Sequence, residues 1–403
     1  MLFCRSHILV LLISFASLVD AVAQTSGTEF QKAWTIPLEG SILSEPDLLE
    51  WADESLDHLY NMRYEQADSV FSLIQSRYPE HPVGPFLHSL TIWWKILPTL
   101  SVKDTSLDQA FLTEMNRVIE LSNRLEGDPR FAFDAMFFKT AAYGFRGRLL
   151  SDRREWLAAA QDGKSALDDV FKIADADTSN ADLLFGVGVY DYFAEALPRK
   201  YPIVKPLMFF FPDGDSARGL RRLKLAAEHG RFVSAEAAYF LLQIYTVFEP
   251  DYSESMTYIR LLRDRYPDNA LFHVLLGRIL SRWGQSKTAR AVFERVVQFY
   301  EEGKAGYVKP LASQAHYYLG RDERRGDSLH AALAHFDIAL ELESGFSHDS
   351  HFRVNATLQK GMVLDALGRR AEAEHAYNRV LGMREYSSSR ELARRYLKTP
   401  FGG

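Results

Sequence analysis

Apolar side chains return along most of this chain at the three-and-four spacing that lines one face of a helix, and short polar turns interrupt them at regular intervals. The segment from Glu236 to Asn269 shows the pattern: Tyr239 and Leu242 lie on a first stretch, Tyr252, Ile259 and Leu262 on a second, and Pro267 just beyond its end. The pattern restarts at Ala270, one interval of about 34 residues later. There Leu276-Gly277 closes one predicted helix, Gly284 marks the turn, and Ala289 and Phe293 lie on the next helix. Leu319-Gly320, Ala332, Phe336 and Ala339 repeat it from near Ser313, and Gly361, Gly368, Ala373 and Tyr377 from near Val354. Upstream, Trp51, Tyr64, Ala67, Phe71 and Pro79 fit a copy opening near Leu48, and Tyr143, Gly147, Trp156, Ala159 and Ala166 fit another. Residues 82–130 keep the helical period without these marks.

The residue types have a physical reason. Gly277 and Ala289 stand where two antiparallel helices must cross closely, and a larger side chain would push them apart. Phe293 is expected to fill the space between one helix pair and the next. Pro267 sits past a helix end, where its missing N–H costs least. No single pair can bury its apolar face alone, so stability accrues between stacked neighbours. The chain therefore reads as all-α: a right-handed α-solenoid of about eight helix pairs with a C-terminal capping helix. That cap, near Ser388 to Lys398, is polar through Arg390, Glu391, Arg394 and Arg395.

The Leu-Gly pair, the turn glycine and an alanine and aromatic four apart resemble the tetratricopeptide-repeat (TPR) superfamily. The resemblance covers most of the chain after its first residues and is strongest from Glu236 to Gly303. It implies an interaction surface rather than a catalytic pocket. The expected division is a leader over 1–23, a linker over 24–47, divergent TPR-like repeats over 48–235, TPR repeats over 236–387, and a capping helix and tail over 388–403. Asp182 to Ala226 stands apart. A helix with Gly186 and Gly188 ends at Leu197-Pro198, an apolar connector follows, and Gly214-Asp215 opens a helix with Gly219-Leu220. This is similar to the signature of the inclusion-body-clearance family of TPR proteins, with Phe211-Pro212-Asp213 departing from that family's glycine-rich approach.

The first residues change the picture of location. Arg5 precedes an uncharged apolar run from Ile8 to Val19, and Ala21-Val22-Ala23 gives the small-x-small pattern of a secretory cleavage site, leaving Gln24 first. An uncleaved anchor is the competing reading. No later run reaches the roughly 18 apolar residues that a second span needs. The expected location is the periplasm or the cell exterior. Cys4, the single cysteine, lies before the apolar run and not at a lipoprotein cleavage point. Without it the chain has no thiol for disulfides, nucleophilic attack or metal ligation. A net charge of −6 argues against nucleic acid, which needs a concentrated positive footprint.

Candidate chemistry is sparse, and no cofactor or metal is expected. His348-Asp349-Ser350-His351 has a His-x-x-His look, with a loop and a helix cap at Asp349 or Ser350 as the competing reading. Asp175-Ala176-Asp177-Thr178-Ser179 begins like a calcium loop, but Gly186 stands where the closing glutamate belongs, so a cap at Asp177 or Ser179 is favoured. Asp213-Gly214-Asp215 reads as turn plus cap. No Gly-x-Ser-x-Gly, His-Glu-x-x-His or phosphate-loop motif occurs, so the chain is read as not an enzyme. Trp93-Trp94 and the run Leu207-Met208-Phe209-Phe210-Phe211 read as core, with an exposed patch as the alternative.

Register supplies the site. The position after the repeat glycine gives Arg148, Arg278, Arg321 and Met362, and Tyr317, Arg324 and Asn355 are further groove candidates. Leu56 and Leu59 occupy the groove of the first copy. The expected partner-binding set is therefore Arg148, Arg278, Tyr317, Arg321, Arg324 and Asn355, a basic and aromatic groove suited to an acidic peptide, a C-terminal carboxylate or another anion. The competing reading pairs these arginines with Glu and Asp of neighbouring repeats. The function expected is a non-catalytic scaffold for a protein or peptide in the cell envelope. A glycan-binding outer-membrane accessory protein, or a hydrolase with an unrecognised acidic cleft, are the alternatives.

Overall fold

The computed structural model describes residues 41–42, 45–176, 180–202, 205 and 211–402. The leader over 1–23, most of the linker, Asp177 to Ser179 and the run Leu207 to Phe210 lie outside the described residues. Among the described residues there are seventeen α-helices and no strand, as expected of an all-α repeat fold. None of these helices is long and apolar enough to cross a membrane.

The chain divides into two compact units. The first runs to Trp93 and resumes over Ser106–Pro250. It holds α1 (Pro46–Tyr60), α2 (Tyr64–Arg77), most of α3 (Val83–Ile96), α4 (Asp108–Leu125), α5 (Ala132–Asp152), α6 (Trp156–Ala176), α7 (Leu184–Lys200), α8 (Ser216–His229) and α9 (Ser234–Gln243). The second comprises Trp94–Thr105 and Asp251–Gly403. It holds α10 (Tyr252–Arg265), α11 (Ala270–Arg282), α12 (Ser286–Glu301), α13 (Lys309–Arg325), α14 (Leu329–Leu342), α15 (His351–Ala366), α16 (Arg370–Gly382) and α17 (Ser389–Lys398).

In the second unit each helix packs on the next, and α11, α13, α15 and α17 also touch one another in turn. The repeat glycines explain the closeness. A Cβ on Gly277, Gly320 or Gly361 would stand 2.7, 2.9 or 2.5 Å from a ring carbon of Phe293, Phe336 or Tyr377. Each ring thus seats in the notch of its own pair. Phe293 also reaches the next pair, stacking on Tyr318 with centroids 4.7 Å apart, so it fills both gaps. The 3₁₀ turn Leu97–Val102 lies against α13, and Trp94 meets Phe272 of α11 edge-on at 5.5 Å.

The first unit is bound together by buried charge as well as apolar packing. Asp134 on α5 is fully buried; it accepts hydrogen bonds from the Ser41 hydroxyl and, at 2.9 Å, from the Ile42 N–H, with His81 at 3.3 Å. Asp191 on α7 is equally buried and receives Arg218 at 2.7 and 2.8 Å and Arg222 at 2.5 Å from α8. The glycines of the odd central segment serve this contact. A Cβ on Gly219 would come within 2.5 Å of the Tyr192 backbone nitrogen, and one on Gly214 within 2.5 Å of the Asp191 carbonyl. Trp93 and Trp94 are both fully buried.

Candidate functional site

In the second unit α11, α13 and α15 are the first helices of successive pairs, and their side chains form one strip. Gly277 turns toward Phe293, so Arg278, the next residue and about 100° round the helix, leaves that contact. Its guanidinium lies 5.4 Å from the Phe352 ring and 3.4 Å from Gln314 Oε1. Phe352 meets Tyr317 edge-on at 5.6 Å, and Arg321 lies 5.5 Å from the rings of both Tyr317 and Tyr318. Arg324 donates to Gln359 Oε1 at 2.8 Å and lies 5.4 Å from Phe401. Asn355 donates to the His351 carbonyl at 2.8 Å, and its amide lies 2.9 Å from the His351 Nδ1.

The electrostatics are those of a positive strip. Burial first, then Arg278 and Arg321, hold His351 down to about 4. Burial, Arg325 and Arg321 lower Arg324. Among the described residues no carboxylate lies within 4 Å of Arg321 or Arg324. Arg290 on α12 behaves differently, binding Glu294, Asp322 and Glu323 together.

The strip thus joins Arg278, Arg321, Arg324 and Asn355. Three expectations change. Tyr317 was placed facing the groove, yet it is 5% exposed and forms the floor under Arg321, because Phe336 and Phe352 close over its ring. Met362 and Leu59 are likewise buried in the core. Arg148 belongs to the first unit and lines a different feature, described next. The His-x-x-His segment is occupied by protein contacts: Ser350 caps α15 by accepting from Arg353 N–H, and the Tyr386 hydroxyl lies 3.4 Å from His348 Nε2. Asp215 caps α8 through Arg218 N–H, as its turn-plus-cap reading expects.

The first unit contains a half-open recess of about 330 Å³. Leu56 of α1, Leu90 of α3, Phe145 of α5, Val170 of α6, Phe193 of α7 and Phe240 of α9 contribute to its wall. The sequence reading missed it. The signal that was available is the α5 stripe Phe137, Thr140, Ala141, Gly144, Phe145 and Arg148, which recurs at helical spacing but carries a glycine and a threonine where a core stripe would carry large apolar residues.

Residues 355–386, spanning α15 and α16, match the tetratricopeptide repeat profile. The chain is also 29% identical over 160 residues to tetratricopeptide repeat protein 37 of Xenopus laevis, an alignment covering 38% of this chain and 10% of that protein. It therefore spans about a tenth of that relative's length. Glycine–aromatic notches repeated in three successive helix pairs, the matched stretch and the similarity to that relative support membership of the tetratricopeptide-repeat superfamily.

Proposed function

We propose that this chain is a non-catalytic scaffold, working in the periplasm or outside the cell, that holds an acidic protein or peptide segment against α11, α13 and α15. Tetratricopeptide repeats serve as protein-interaction surfaces, and the leader-like first residues are the support for export.

One observation carries the choice of partner. Arg321 and Arg324 are partly exposed, rest on aromatic rings and an amide, and have no carboxylate within 4 Å among the described residues. A guanidinium beside a ring and not paired with a carboxylate has N–H donors to offer the two oxygens of an incoming one. The alternative use of such arginines, pairing with carboxylates of a neighbouring repeat, belongs to Arg290.

The test is fluorescence anisotropy of labelled Asp- and Glu-rich peptides against the wild type and an Arg321→Glu/Arg324→Glu variant. Saturable binding by the wild type that weakens with salt and is lost in the variant is the expected result. Equal affinities for the two proteins would remove the strip as the binding site.

A further inference from the structure

We infer that the recess in the first unit is a binding site for a single-chain lipid amphiphile with an anionic head, of which a long-chain fatty acid is the simplest case. Its volume, about 330 Å³, falls within the range of small-ligand sites, about 300–1,000 Å³. In the same unit Arg231, in the turn before α9, binds Asp53 on α1 at 2.6 to 3.1 Å, joining helices far apart in the chain.

The lining decides against a peptide. A peptide brings one N–H and one C=O per residue, and each needs a partner when buried. The wall offers few. Asp182 already accepts from the N–H groups of Arg231, Phe232 and Val233. Leucine, valine and phenylalanine from six helices supply most of the remainder. An alkyl chain makes no such demand.

Two polar groups stand on one face of α5. Thr140 is 9% exposed and its hydroxyl has no hydrogen-bond partner among the described residues. Arg148, eight residues or about 12 Å further along the helix, lies 5.0 Å from the Trp93 ring and 4.9 Å from that of Phe240. No carboxylate lies within 4 Å of it among the described residues. Glu236 is buried in the same wall, and of these polar groups Arg148 alone is cationic, so the anion is held at Arg148. Between Thr140 and Arg148, Gly144 leaves the space open, since a Cβ there would meet nothing within 4 Å.

Gly144 supplies the test. A leucine there fills the recess while improving helix propensity, so the variant is expected to fold, and its helicity and melting are checked by circular dichroism. The probe is palmitate, titrated calorimetrically into the full chain and compared with decanoate and hexadecanol. Wild type should bind palmitate saturably and more tightly than decanoate, with about fourfold per buried methylene. Gly144→Leu should weaken palmitate at least tenfold, and Gly144→Ala should not. Arg148→Met should weaken palmitate and leave hexadecanol unchanged. Should Gly144→Leu fail to fold, Ala141→Phe blocks the same space. No saturable palmitate binding by the wild type, or undiminished binding by a folded blocked variant, overturns the inference. So does displacement of a bound fluorescent naphthalene sulfonate by an apolar peptide and not by palmitate. Because the recess and the arginine strip share no residue, loss of acidic-peptide binding in Arg321→Glu/Arg324→Glu leaves this result unaffected.

Discussion

The ring of Phe336 occupies the place where Gly320 would carry a side chain, its Cε1 2.9 Å from the position a Cβ would take. Gly320→Ala should therefore destabilise the protein by about 1–3 kcal/mol through overpacking, although alanine is the better helix former by about 1 kcal/mol. Urea unfolding reads the change. Adding Phe336→Leu should recover part of it, since residues in contact do not contribute additively. A Gly320→Ala protein as stable as wild type would mean that the notch is not close-packed.

Gly144 makes the opposite prediction from the same residue type. With open space around its Cβ position, Gly144→Ala should stabilise by about 0.4–1 kcal/mol. Thermal melting should show the rise without altered helicity.

Asp191 is buried against two guanidinium groups that are themselves partly exposed, and Arg218 also has Asp215 at 3.8 Å. Asp191→Ala should cost about 1.5–3 kcal/mol, the range for hydrogen bonds to a charged group, because water can solvate the guanidinium groups left behind. The denaturation midpoint measures it. A loss below about 1 kcal/mol would place this contact among ordinary surface pairs.

Acid should weaken the second unit. Burial, then Arg263, Lys304 and Arg295, hold His273 down to about 3, and burial with His335 holds His316 down to about 4. The unfolded value is about 6.5, so between these limits the unfolded chain binds more protons. The stability is fully present above about pH 6.5 and is lost as pH falls toward 4. Glu343, raised by burial, works in the other sense and favours acid. The urea midpoint should be lower at pH 4.5 than at pH 7.5, and His316→Phe should reduce the difference. Equal midpoints in the wild type would contradict the assignment.

Much of the architecture was legible because the repeat is written in one steric event, a glycine receiving an aromatic ring. Spacing put Gly277, Phe293, Gly320 and Phe336 at their repeat positions, while the seating of each ring against the glycine of its own pair is visible only in the structure. The arginines of the strip followed from the same register. Tyr317 did not, because spacing places a residue on a face but cannot say whether rings from α14 and α15 close over it. The recess escaped for a related reason. Its wall comes from helices between α1 and α9, and only their packing in space turns separate apolar stripes into one recess.

The excursion of the chain at Trp94–Thr105 has a consequence for inheritance and assembly. A short early stretch completes the second unit, where Trp94 covers Phe272, before the chain resumes building the first. A fragment starting at Asp251 would lack this piece and leave an aromatic face bare, and one ending at Pro250 would carry the piece with nothing to seat it on. The late repeats are thus completed by a segment synthesised long before them.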